Sequence, residues 1–267
     1  MLRERLLSVL VGLPLLVGAI LLGGWPLAAV MAVLAGLAGF EAGRLAGALG
    51  VVFSPWLPAV PAALTVLAWQ FSPRVGFDVL ALALLVLLAR AEWQVVQEKR
   101  PARDVLVEYL AVVAGVLYPS LFASAVALRR LEQGALWLTL VFAGTWLNDA
   151  VAYFVGRAWG RRPLAPGLSP GKSVEGAVAG GVTAVAVWLA AMPWTGLDLA
   201  GSLALGLVAA LLGPVGDLFE SLVKRAAELK DSGSLIPGHG GVLDRFDSFL
   251  LIAPTSLILI RLLSGTG

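Results

Sequence analysis

There is no cysteine in this chain, a single histidine (His239), and charged residues make up only 13% of its 267 positions. Without thiols, disulfides and thiolate metal sites are excluded, and the redox compartment leaves no trace. One imidazole excludes any centre that needs two. A bound metal must therefore be held mainly by oxygen ligands, which selects a hard cation such as Mg²⁺. The shortage of charge excludes most. A soluble domain carries about a quarter charged residues. With 59% hydrophobic residues, this chain has too little polar surface to coat a water-soluble globule, so the class is membrane protein.

What the chain has in abundance is apolar runs. A bilayer core about 30 Å thick takes about 20 apolar residues per helix. Runs between charged or Pro/Gly breaks predict spans near residues 6–23, 25–40, 51–69, 75–90, 104–127, 135–156, 174–193, 197–217 and 247–264. The expected fold is an all-α polytopic integral membrane protein with about nine transmembrane helices and a cytoplasmic N-terminus. Packed membrane helices tolerate the internal prolines Pro14, Pro58, Pro61, Pro119 and Pro254. The third span is the most interrupted, by Pro55, Pro58 and Pro61. The first apolar run exceeds a signal-peptide core, and no small-residue cleavage site follows before Trp25, so it reads as a retained anchor.

Orientation follows from the basic residues. Nine spans with the N-terminus inside leave all but Arg74, Arg129, Arg130 and Arg261 of the 19 Lys and Arg residues on the inner side. Two inner segments stand apart as polar and Gly/Pro-rich, residues 157–173 and 218–246. The expected organisation is an N-terminal helical region, 1–130, with about five spans, followed by a catalytic region, 131–267, carrying these two cytosolic loops.

The second loop concentrates chemistry. Helical character runs from Leu218 to Lys230, where Asp231-Ser232-Gly233 breaks it. Asp217, Ser221, Lys224 and Glu228 fall at i, i+4, i+7 and i+11, on one face of that helix. Arg225 is displaced to one side, toward a neighbouring phosphate. Pro237-Gly238-His239-Gly240-Gly241 follows, and closely spaced glycines let backbone N–H groups converge on an anion. Asp244 and Asp247 then sit i, i+3 at the start of the last helix, flanking Arg245. Two acids on one face are costly unless a cation neutralises them. With Asp217 they form a carboxylate set suited to one or two hard cations.

The run Ser221-Leu-Val-Lys224-Arg225, then Lys230-Asp231, then Pro237-Gly238-His239-Gly240-Gly241-Val-Leu-Asp244-Arg245-Phe-Asp247 resembles the signature of phosphatidate cytidylyltransferases, without departure from Ser221 to Asp247. A second block is similar to the same family: Asp149, Tyr153, Gly156-Arg157, Ser169-Pro170, Lys172-Ser173 and Glu175-Gly176. It departs in having Gly171 where lysine is common, Ser173 for threonine and Val174 for the usual tryptophan. Gly171-Lys172-Ser173 is not a P-loop, because Pro166 stands where the pattern needs glycine and no strand is expected before it. Asp149 lies inside a predicted span, where an unpaired carboxylate is expensive; an ion pair with Arg157 is the alternative to a role in the site.

The resemblance covers residues 144–247 and implies a homodimeric, all-helical membrane enzyme open to cytosol and bilayer. In it, a phosphatidate oxygen attacks the α-phosphorus of CTP and expels pyrophosphate. It implies metal binding by Asp217, Asp244 and Asp247. Lys224 and Arg225 would hold phosphate, with His239, Asp244 and Asp247 also in the catalytic set. Ser169, Lys172, Ser173, Glu175, Asp149, Gly240 and Gly241 would serve CTP. The expected cofactor is Mg²⁺, a second, monovalent cation being left open. The expected partners are CTP, phosphatidic acid and the bilayer of the cell inner membrane, with no nucleic acid. The rivals are a CTP-using lipid kinase, which would release CDP, and a transporter, for which no internal repeat speaks.

Overall fold

A computed structural model describes residues 2–233, 235 and 240–264, with side chains among them from residue 10 to 263. Among the described residues the chain is helical apart from one small hairpin. The helices are α1 (Leu2–Leu22), α2 (Gly24–Ala48), α3 (Trp56–Ala68), α4 (Pro73–Val96), α5 (Ala102–Ser120) and α6 (Ala123–Arg129). They continue as α7 (Gly134–Trp159), α8 (Val174–Ala190), α9 (Met192–Thr195), α10 (Leu199–Ala226) and α11 (Leu243–Ser264). Between α7 and α8, β1 (Pro163–Ala165) pairs antiparallel with β2 (Ser169–Ser173).

By length and composition, six helical stretches among the described residues are able to cross a membrane: Gly24–Ala48, Pro73–Val96, Ala102–Arg129, Gly134–Trp159, Leu199–Ala226 and Leu243–Leu263. The apolar helices Trp56–Ala68 and Val174–Ala190 are shorter, and of α1 the stretch Leu10–Leu22 is the part with described side chains. Every expected span thus coincides with an apolar helix; α1 runs 21 residues, while α3 and α8, at 13 and 17 residues, are short for a crossing. The shortfall has physical causes. α3 starts only at Trp56, after Pro55 at its N-cap, and α8 starts at Val174 as expected but ends at Ala190, just before the short α9 that carries Pro193. Conversely, α2 runs on through Glu41 and Arg44, beyond the expected limit at residue 40.

The chain divides into two units. One comprises Met1–Ala127 with Ala226–Arg245, the other Leu128–Arg225 with Phe246–Gly267. In the first, α2, α3 and α5 pack closely because small residues line their contacts. A Cβ at Gly39 would lie 2.9 Å from the Ala59 Cα, one at Gly43 2.7 Å from the Pro55 Cα, and one at Gly115 2.9 Å from the Pro58 Cβ. A buried carboxylate ties α4 to α5 in the same unit. Glu108 accepts from the Arg90 guanidinium at 2.8 Å and pairs with Arg100 at 2.7 Å.

In the second unit α7 packs along α8, again over glycine. A Cβ at Gly176 would sit 2.5 Å from the Ala152 carbonyl oxygen. Phe142 stacks on Phe249 at 4.3 Å between centroids, joining α7 to α11. α10 crosses Pro214 without ending and stops at Ala226, four residues before the expected break. Glu228 lies beyond it at φ 56°, a left-handed conformation, so it leaves the face shared by Asp217, Ser221 and Lys224.

Candidate active site

Four charged side chains gather in the second unit. Asp149 comes from α7, Lys172 from β2, Asp217 from α10 and Asp247 from the first turns of α11. The Lys172 ammonium pairs directly with Asp217. Asp149 lies within electrostatic reach of Asp217 and Lys172. Asp247 lies within reach of Asp217, Asp149 and Lys172.

Each position has a local cause. Ser173 caps α8, accepting from the Gly176 N–H at 3.1 Å, and this fixes the end of β2 beside Lys172. Glu175 closes the hairpin onto the helix. Its Oε2 accepts from the Arg161 and Arg162 amides at 3.0 and 3.2 Å, and its Oε1 pairs with Arg162 Nε at 2.9 Å. At the α10–α11 crossing, a Cβ at Gly216 would fall 2.6 Å from the Asp247 carbonyl oxygen. Only glycine lets the backbones meet there, which brings neighbouring Asp217 alongside Asp247. The Ser248 hydroxyl locks the crossing by donating to the Gly213 carbonyl at 2.9 Å.

Asp149, Lys172, Asp217, Tyr153, Arg157 and Ser173 line a cavity of about 340 Å³. Arg157 donates to the Tyr153 hydroxyl at 3.2 Å, so the structure gives Asp149 a lysine neighbour while Arg157 serves tyrosine. Asn148, 1% exposed, lies in the same wall. Its Nδ2 donates to the Ala209 carbonyl at 3.4 Å, while its Oδ1 is buried without a hydrogen-bond partner.

The other expected residues are placed as follows. Lys224 pairs with Glu220 at 2.7 Å, and both side chains are largely buried. Arg225 Nε donates to the Leu168 carbonyl at 3.3 Å, holding the hairpin turn. Ser169 opens β2 in register with Ala165. Neither Ser169 nor Glu175 lines the cavity. Asp244 belongs to the first unit, where its Oδ2 accepts from the Ser232 N–H and the Gly241 N–H at 2.9 and 2.8 Å. The Gly241 amide, expected at a phosphate, is thus engaged by Asp244, and Gly240 beside it takes φ 82°. His239 lies outside the described residues.

As a cation site, the donor chemistry fits. The groups gathered in the second unit are carboxylates with an orphaned amide oxygen beside them, the set a hard cation prefers. Among the described residues, no group of three His, Asp or Glu side chains is placed to hold a metal ion, and Lys172 pairs with Asp217. Sequence reasoning missed Asn148, Glu220, Ser232 and Glu41. Glu41 carried a legible signal, being a carboxylate in an apolar helix.

Comparison with known proteins adds ancestry. The family model described as Cytidylyltransferase family matches residues 3–263. A phosphatidate cytidylyltransferase of Bacillus subtilis (strain 168) is 40% identical over 145 residues, 52% of this chain and 53% of that protein. One of Haemophilus influenzae is 36% identical over 186 residues, 65% of this chain and 62% of that protein. One of Staphylococcus saprophyticus is 40% identical over 131 residues, 48% of this chain and 50% of that protein. The chain therefore spans less than two thirds of the length of each of these relatives.

Proposed function

From the premise that this chain belongs to the cytidylyltransferase family, we propose that it is a phosphatidate cytidylyltransferase, converting CTP and phosphatidate to CDP-diacylglycerol and pyrophosphate. The observation that carries the reading is the Asp149–Lys172–Asp217–Asp247 cluster, whose first three members line a cavity, held by the two sequence blocks that resemble this enzyme. In the reaction a phosphatidate oxygen forms a bond to the α-phosphorus of CTP, and the bond from that phosphorus to the bridging oxygen of pyrophosphate breaks. Such transfers need alignment and charge neutralisation more than covalent help.

Lys172 is the cation poised to meet a phosphate, since the hairpin sets it at the cavity wall. Asp149, Asp217 and Asp247 would hold Mg²⁺, with Asn148 Oδ1 as a further oxygen donor. When bound, the ion supplies neutralisation of phosphate charge. Asp244, Lys224, Arg225 and His239 keep the catalytic roles that the signature implies for them. Glu175 positions the hairpin by its grip on Arg161 and Arg162. Phosphatidate is already anionic near neutral pH, so no base is required to activate it. The proposal includes nine crossings with the N-terminus and the site on the cytosolic side of the inner membrane, and a homodimer.

The purified chain in detergent, given CTP labelled at the γ-phosphate, phosphatidic acid and Mg²⁺, should release labelled pyrophosphate only when both substrates are present. Label appearing on lipid would mean a kinase. Full turnover after exhaustive chelation would remove the divalent ion from the mechanism.

A further inference from the structure

Glu41 lies in α2, among apolar neighbours, and its side chain is wholly buried (0% exposed). A buried carboxylate is costly unless donors surround it, and Glu41 finds them in a segment about 200 residues further along the chain. Its Oε1 accepts from the Val242 N–H at 2.9 Å. Its Oε2 accepts from the Leu243 N–H at 2.9 Å and lies 3.2 Å from the Ser232 hydroxyl. These amides are orphan donors at the start of α11, where the positive end of the helix favours an anion.

Asp244 closes the same turn from within. Its Oδ2 accepts from the Ser232 N–H at 2.9 Å and the Gly241 N–H at 2.8 Å, and lies 2.8 Å from the Ser232 hydroxyl. Ser232 thus bridges the two carboxylates. Two glycines make room for the arrangement. A Cβ on Gly233 would lie 2.8 Å from Glu41 Oε1, and one on Gly241 would lie 2.6 Å from each Glu41 oxygen.

We infer that Glu41 is a positioning residue for the transfer. It fixes Ser232, Val242 and Leu243, and so sets the first turn of α11 and the Asp244 side chain that this turn carries. The inference rests on the functional reading above, and it gives a role in the reaction to a helix expected only as a transmembrane span of the N-terminal region.

Glu41→Gln keeps the shape but turns one acceptor into a donor. Because both oxygens face backbone N–H groups, the amide must set donor against donor. Gly233→Ala strikes the same contact from the opposite side, through a methyl group. Amide hydrogen exchange, kcat and KM for CTP would be measured on the full chain in detergent. Both variants should speed exchange at residues 232, 241, 242 and 243 by about tenfold or more. They should lower kcat by about tenfold or more while KM for CTP stays within about threefold. Exchange in α7 and α8 should stay as in the wild type.

Glu108→Gln, which loosens the Arg90 and Arg100 pairings in the same unit, is the control and should leave exchange at residues 232, 241, 242 and 243 unchanged. Unaltered exchange in Glu41→Gln and Gly233→Ala would overturn the inference. So would a kcat loss that only follows the fraction of folded protein, as in the control. A wild-type chain inert toward CTP and phosphatidate, with exchange still accelerated in both variants, would reject the functional reading and reduce Glu41 to a fold anchor.

Discussion

At Asp247 the carboxylate accepts from the Ser248 N–H at 2.6 Å while facing Asp217, Asp149 and Lys172. Three acids against one ammonium leave negative charge that a substrate-bound cation would balance, and this is the charge a phosphoryl centre uses. Asp247→Asn is isosteric and keeps an oxygen for Ser248, so it removes charge and little else. Turnover should fall by about a hundredfold or more, with the thermal midpoint in detergent changed by only a few degrees. Near-normal turnover would take Asp247 out of the reacting centre. Lys172 and Glu175 illustrate how residue and position differ. Both lie in the block resembling the nucleotide loop, but Lys172 lines the cavity, whereas Glu175 is occupied with Arg161 and Arg162.

Helices meet in this protein where side chains vanish. On α10, a Cβ at Gly206 would lie 2.7 Å from the Cα of Val185 on α8, a backbone atom that cannot swing aside. Gly206→Ala should therefore destabilise the protein by about 1–3 kcal/mol through overpacking. Gly47, in the last turn of α2, has nothing within 4 Å of the corresponding point. Gly47→Ala should be neutral, or stabilising by about 0.5–1 kcal/mol from helix propensity alone. Thermal unfolding of both variants in one detergent reads the contrast; equal effects would refute the packing account. These crossings were illegible beforehand because a glycine in an apolar run looks the same whether it faces lipid or a neighbour. The hairpin of β1 and β2 was likewise unseen, its strands of 3 and 5 residues being too short to show an alternation.

For the molecule as a whole, the question left by the helix lengths is how often the chain crosses. The absence of cysteine makes single-cysteine labelling in intact cells free of background. With nine crossings, cysteines replacing Gln70, Gln133 and Gly196 should react with a membrane-impermeant thiol reagent. Those replacing Gly50, Gln97 and Gly171 should react only after permeabilisation. Gly50 and Gln70 flank α3, and Gly171 and Gly196 flank α8. If either short helix fails to cross, its flanking pair will label alike. The basic residues favour the alternating result, because it leaves four of the 19 outside.

Composition and local pattern determined much by themselves. Apolar runs specify where membrane helices form, because a helix satisfies its own backbone in lipid whatever it packs against. The dense run from Ser221 to Asp247 pointed to nucleotide transfer through its resemblance to a family signature, which is legible because its residues are contiguous. Tertiary structure alone decided which acids meet. Asp149 joins Asp217 and Asp247 because Gly216 lets α10 touch α11 and because the capped hairpin delivers Lys172. Glu41 reaches Val242 and Leu243 across 201 and 202 residues of chain. No spacing rule spans such a distance: periodicity reports neighbours along an element, whereas a buried carboxylate finds its donors only when the fold brings them to it.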